Sequence, residues 1–263
     1  MQTASQLHPT TEAATDPVDK VRIDLAAAYR LVAHFGLDDS IFTHISARVT
    51  DAEDGTGRFL INPYGLRFDE VTASNLVTVD LNGRIIDDPY GAGINAAGFT
   101  IHSAVHAARH DVQCVLHTHT VAGVAVSCQA EGLLPLNQWS LQFHDRIAFH
   151  EYEGIALDLD ERERLVNDLG DRKVMILRNH GLLTCGSTVA EAFKLMYNLE
   201  RSCKAQLALQ ASGAPVHRPS DEVARKTAVQ YSGWSDKHGH NRPDPEWEAY
   251  LRLLRRTQPD FEN

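Results

Sequence analysis

The sequence predicts a single α/β domain. Three observations carry that expectation. Amphipathic helical segments alternate with short apolar strands along the chain. Neither an internal repeat nor a low-complexity linker divides the body. Hydrophobic residues at 43% and charged residues at 23% match an ordinary globular composition over 263 residues, enough chain for one large core.

The elements follow in order. Residues 1–17 are polar, Thr/Ala-rich and aperiodic, so a disordered tail is expected. From Val18, the stretch VDKVRIDLAAAYRLVAHFGL sets Val21, Leu25, Ala28, Leu31 and Val32 on one helical stripe that ends near Gly36. HISARVT and RFLINP read as strands joined by the turn-rich DAEDGTG. NLVTVDLNGRIID reads as a hairpin with Asn82-Gly83 as a two-residue turn. Residues 96–110 have helical spacing, VQCVLHTH reads as a strand and VAGVAVSCQ as a short helix. LPLNQWSLQFHDRIAFHEYEG is expected to hold further extended segments, and DERERLVNDLG to be helical. KVMILRNHGLLTCG is a buried strand running into a loop, and TVAEAFKLMYNLERSCKAQLALQA is a long amphipathic helix. The expected organisation is a tail at 1–17, the main domain at 18–212 and a partly helical, charged extension at 213–263.

Composition narrows the function. With 25 basic against 35 acidic residues the net charge is −10, which argues against nucleic acid or an anionic membrane as partner. No apolar run approaches the ~18 residues that span a bilayer. The opening MQTASQLHPTTEAATDP has neither the basic start nor the apolar core of a secretory signal, so a cytoplasmic address is expected. Cys114, Cys128, Cys185 and Cys203 form no CxxC pair and read as buried thiols.

Histidine is the unusual count. There are 14, and His102, His106, His110, His117 and His119 fall within eighteen residues. Alternate residues of a strand share a face, so His117 and His119 project together and can offer two ligands to one cation. A stable site needs a third ligand. His180 ends a second apolar strand and precedes a glycine, which makes it the candidate. A competing set is His102, His106 and His110, spaced i, i+4, i+8 on one helical face. That set lacks the glutamate of HExxH, and only His102 is expected to face the cleft.

Taken together, THISAR (43–48), FLINPYG (59–65), CVLHTH (114–119), RNHGLL (178–183) and TVAEAF (188–193) resemble the class II aldolase/adducin-head family. The resemblance implies a single three-layer αβα domain around a mostly antiparallel sheet, assembled as a homotetramer with sites between subunits. It implies a divalent metal, zinc first and manganese, cobalt or iron as alternatives, on His117, His119 and His180. The departures matter equally. In the sugar-phosphate aldolases it resembles, a glutamate acting as acid and base stands four residues before the helix histidine, after two serines. Here those positions are Gly98, Ala96 and Ala97. Tyr64 replaces a small hydroxyl residue, and His44 stands for an asparagine two residues before Ser46. Each missing charge-assisted hydrogen bond forfeits about 1.5–3 kcal/mol, so a phosphorylated sugar is an unsuitable substrate.

The reading that follows is a carbon–carbon lyase with a metal-stabilised enolate, acting as a decarboxylase on a small non-phosphorylated hydroxy- or oxo-carboxylic acid, aromatic ones included. Decarboxylation asks for one proton donor, which fits the loss of the glutamate. His44, His102 and Tyr64 are the candidate proton donors. Ser46, Arg67, Gly98 and Glu153 are candidate substrate-contacting residues. Tyr231, Trp234 and His238 are assigned by analogy to a neighbouring subunit's site. The alternatives are a non-haem Fe(II) oxygenase for aromatic hydroxy or oxo acids, an aldolase for a non-phosphorylated substrate, and an adducin-like binding module.

Overall fold

The computed structural model describes residues 16–49, 56–154, 161–237 and 244–263. The tail up to residue 15, most of the DAEDGTG turn and His238 lie outside them, as does the side chain of Trp234.

Helix α1 (Pro17–His34) begins where Asp16 accepts a hydrogen bond from the Val18 N–H (2.9 Å), with Pro17 pre-set for the first turn. Its apolar stripe buries Leu25, Leu31 and Val32. Strands β1 (His44–Val49), β2 (Arg58–Ile61), β3 (Val77–Asp80) and β4 (Ile85–Asp87) form an antiparallel meander. The connection between β3 and β4 is longer than the two residues expected. Asp80 Oδ1 accepts from both Asn82 and Arg84 N–H (2.9 Å each), which draws Leu81 and Arg84 into the turn and leaves Gly83 at positive φ.

Helix α2 (Ala96–Ala108) leads into β5 (Cys114–Thr118) and α3 (Val121–Ser127). The segment expected to hold extended stretches contains one, β6 (Ile147–His150), preceded by a short helix, α4 (Gln138–Leu141), that was not anticipated. Asn137 reverses the chain there, because its Oδ1 accepts from Trp139 and Ser140 while Ser140 Oγ accepts from the Asn137 N–H. Helix α5 (Glu161–Leu169), β7 (Val174–Leu177), β8 (Gly181–Gly186) and α6 (Val189–Ala211) follow, then α7 (Asp221–Lys237) and α8 (Pro245–Thr257).

The eight strands lie in the order β4-β3-β2-β1-β5-β8-β7-β6, antiparallel except for β6 beside β7. Alternation along each strand separates two cores. Ile45, Leu60, Leu116 and Leu182 pack with Leu25 and Leu31 of α1 and with Phe193 and Met196 of α6. Val115, Met175, Leu183 and Cys185 face the other way, against Ile101 and Val105 of α2 and Leu165 and Leu169 of α5. The result is the three-layer αβα arrangement. Trp247, Leu251, Leu254 and Phe261 from the chain's last segment join the first of these cores. Cys114, Cys185 and Cys203 are buried as expected, whereas Cys128 is exposed because it caps the end of α3. No helix among the described residues is long and apolar enough to cross a membrane.

One buried phenol ties the first helix to the start of β1. Tyr29 Oη accepts from the N–H of Ile45 (2.8 Å) and Asn62 (3.1 Å), and its hydroxyl hydrogen faces the Ile45 carbonyl and Asn62 Oδ1. Removing that oxygen strands buried groups, each worth about 1–3 kcal/mol. Tyr29→Phe is therefore expected to lower the unfolding free energy by about 2 kcal/mol or more. A urea titration checks this, with an unchanged m-value as the sign that only stability moved.

Candidate metal centre

Antiparallel pairing brings the ends of three strands to one rim of the sheet. His44 at the start of β1 lies opposite His117 near the end of β5. Thr118 lies opposite Leu182, so β8 begins at the same level, and the β7–β8 hairpin places His180 in its turn. Asn179 takes a positive φ of 55° to make that turn. Gly181 is required by space. A Cβ there would stand 2.3 Å from the Thr118 carbonyl oxygen and 3.2 Å from the His119 ring.

Three imidazoles converge. His117 Nε2 and His119 Nε2 are 2.8 Å apart, and His119 Nε2 and His180 Nε2 are 2.9 Å apart. Their far nitrogens fix the tautomers. His117 Nδ1 donates to the Leu182 carbonyl (2.9 Å) and His119 Nδ1 to Asp39 Oδ2 (3.0 Å), both acceptor-only partners. The two Nε2 atoms therefore present lone pairs to each other. Two acceptors at 2.8 Å repel unless a cation stands between them, and an ion-ligating set resolves that conflict. Burial, with help from the neighbouring imidazoles, lowers His117 well below the usual histidine range and His180 to about 4. Both are neutral at pH 7, the form that ligates.

The supporting shell comes from α6 and the loop before β1. Thr120 caps α3 through the Gly123 N–H (3.1 Å) and donates to the buried carboxylate of Glu200, and Thr118 Oγ1 donates to Met196 Sδ (3.3 Å). Thr43, a β-branched residue, sits at φ 68° with its buried hydroxyl unpartnered among the described residues. Strain of that kind collects at functional sites.

The family is now decided by comparison with known proteins. The family described as "Class II Aldolase and Adducin N-terminal domain" matches residues 23–207. The chain belongs to that family. It is 50% identical to a Pseudomonas aeruginosa protein provisionally named an aldolase class 2 protein, over 244 residues and 92% of each chain. It is 44% identical to mouse alpha-adducin, covering 89% of this chain and 33% of the adducin. Among solved structures, an aldolase II superfamily protein from Pseudomonas syringae matches with a TM-score of 0.85 and 51% identity, over 95% of this chain and 98% of that one. L-fuculose 1-phosphate aldolase from Glaciozyma antarctica matches with a TM-score of 0.79 and 28% identity, over 98% and 97%.

Within this aldolase/adducin domain, the site residues anticipated from sequence separate into groups. His44 is buried beside the triad, its ring stacked on His117 with centroids 6.4 Å apart. Neither of its ring nitrogens has a hydrogen-bond partner among the described residues. It occupies the room that a side chain at position 98 would need, since a Cβ on Gly98 would lie 2.4–2.5 Å from three ring atoms of His44. The two departures from the aldolase pattern are thus one spatial exchange. Ser46 and His102 lie deeper. Ser46 Oγ is within 2.7 Å of both His102 Nδ1 and His106 Nε2 and is fully buried between them.

Of the remaining candidates, Glu153 lines a cleft with His180, and the others are placed by different contacts. Tyr64 is 41% exposed, and its backbone N–H is held by the Gly93 carbonyl. Arg67 is exposed and pairs with Asp38 (3.5 Å) and Asp69 (3.2 Å). Glu153 is gripped by Arg164, which holds its carboxyl below the usual range. Tyr231 lies half-buried on α7. His110 is exposed, as expected.

Two contributors went unnoticed in the sequence. Asp39 orients His119 from a loop without any motif, and only the expectation of a carboxylate behind a ligating histidine points to it. Tyr152 places its ring 6.2 Å from that of His180, edge to face.

Asp39→Asn is expected to weaken metal binding by about 10- to 100-fold, measured by competition with a chelator. Gly181→Ala is expected to abolish that binding, because the new methyl would overlap the Thr118 carbonyl. Burial holds His44 and His106 near 3 and His102 well below its ordinary value. Unfolded imidazoles take protons near 6.5, so native stability is greatest above that pH and falls as pH drops from 6.5 toward 3. Urea midpoints recorded between pH 8 and pH 4 should be flat at first and then decline.

Proposed function

We propose that this chain is a divalent-metal-dependent carbon–carbon lyase for a small non-phosphorylated hydroxy- or oxo-carboxylic acid, with decarboxylation as the favoured reaction. The observation that carries the reading is the meeting of three imidazole nitrogens, two of which, on His117 and His119, present lone pairs to each other. His117, His119 and His180 would hold the ion, with the Leu182 carbonyl and Asp39 fixing two of the rings. When bound, such an ion supplies Lewis-acid polarisation of a substrate oxygen. Zinc is the first candidate, followed by manganese, cobalt and iron.

The chain's own residues supply the rest. His44 stands beside the triad with an N–H and a lone pair both unengaged among the described residues. It can accept the proton of a substrate hydroxyl and return it to the carbon from which CO₂ has left. Position 98 has no carboxyl to share that work, and Ala96 and Ala97 offer no side-chain donors to a phosphate. The phosphorylated substrate in the name of the Glaciozyma enzyme is therefore not transferred to this chain. Arg67 and Glu153 are the proposed contacts for the polar end of the substrate. A cytoplasmic homotetramer is the proposed state, and an extension from about residue 213 that completes a neighbouring site belongs to the same proposal.

The 44% identity to alpha-adducin favours a second reading, a binding module built on the same fold. Elemental analysis of protein purified without chelators separates the readings. About one zinc, manganese or cobalt per chain, lost in His117→Ala, with CO₂ released from a panel of hydroxylated aromatic and 2-oxo acids, is the expected result. Metal-free protein would favour the binding module. About one iron per chain, with consumption of O₂, would favour the oxygenase.

A further inference from the structure

Helix α6 holds both chain neighbours of His119. Thr118 and Thr120 are buried on either side of it in sequence. Thr118 Oγ1 donates to Met196 Sδ (3.3 Å), and the Thr120 hydroxyl donates to Glu200 Oε2. Met196 and Glu200 are one helical turn apart among the buried residues of α6, so a single turn grips the segment from two points. His119 is the ligand that needs such support. His117 is buried and bonded to the Leu182 carbonyl, whereas the His119 side chain is 25% exposed, so packing fixes it less.

Glu200 is the one carboxylate among the buried residues of α6, and it is only 2% exposed. Lys204 reaches its Oε1 from the surface (3.2 Å) with a side chain that stays 56% exposed. A glutamine would accept the same Thr120 hydroxyl without burying a charge, which is costly. The rim gives the charge a purpose. Imidazole ligands bring no negative charge to a divalent ion, and Asp39 supplies a single carboxylate behind His119 Nδ1. Glu200 is a second carboxylate, linked to His119 through the next residue of the chain.

We propose that Glu200, acting through Thr120, is a positioning residue for the histidine triad: it fixes where His119 stands and adds a buried counter-charge to the ion site. This rests on the metal-dependent reading above. His119 is then set from two ends, by Asp39 at the ring and by Thr120 and Glu200 at the backbone. Because Thr120 Oγ1 also accepts from the Gly123 N–H (3.1 Å), its hydroxyl hydrogen is directed at the carboxylate, and the start of α3 is tied to the same point.

Cobalt(II) is the probe, bound to the full chain, since its visible absorption reports the geometry of its ligands. Glu200→Gln is expected to weaken cobalt binding by about tenfold in competition with a chelator, and to change the spectrum of the bound ion. Thr120→Val should do the same, and Thr120→Ser, which restores the hydroxyl, should recover both. A role in packing alone would lower the urea midpoint of the metal-free protein and leave affinity and spectrum where they were. That result in Glu200→Gln overturns the proposal and leaves the metal-dependent reading standing. If the glutamine variant does not fold, the valine and serine variants at 120 decide, and equal affinity and spectra in the two overturn the proposal. A wild-type chain that binds no cobalt overturns both.

Discussion

Everything at the rim depends on one close approach, that of Gly181 to the Thr118 carbonyl. The β7–β8 hairpin can reach the end of β5 only because residue 181 has no side chain. That contact carries His180 to His117 near the end of β5 and His119 just beyond it, and the Leu182 carbonyl that follows orients His117. The hydrophobic layers on either side serve to hold β5 and β8 in register, so the cores and the site are parts of a single constraint.

Much of this was legible in the sequence because period-two and period-3.6 patterns report directly on which face is buried. The α1 stripe, the strand ending in His117 and the helix carrying His102 are all such cases. The Asn137 reversal was not legible, since a four-residue helix has no period to detect, and its cause is a local capping box. The third ligand could be named from residues alone, but the meeting of two strand ends is a matter of register, which lies outside any single segment. Asp39 and Glu200 were invisible for the same reason: one is 80 residues from His119 and the other 80 from Thr120.

The buried histidines also change meaning once placed. The helical set His102, His106 and His110 offered a rival ligand group, yet Ser46 joins the first two rings behind His44 and His110 is exposed. Phe59 stacks on His106 from the far side, with centroids 5.0 Å apart. The cluster therefore forms a polar floor beneath the functional rim. Holding it unprotonated ties the fold to neutral conditions, because each ring would have to take up charge without water.

The exchange between His44 and Gly98 constrains how such a chain can change over evolutionary time. A carboxylate cannot appear at position 98 while an imidazole fills its room, and shrinking residue 44 alone would open a hole beside the triad. Neighbouring positions of this kind do not contribute independently. The order of steps is then set by sterics: residue 44 must become smaller before residue 98 can become larger, and the intermediate is the least well packed of the three. Two lineages on opposite sides of that step would share a fold and a triad of histidines while being separated by a ridge that single substitutions do not readily cross.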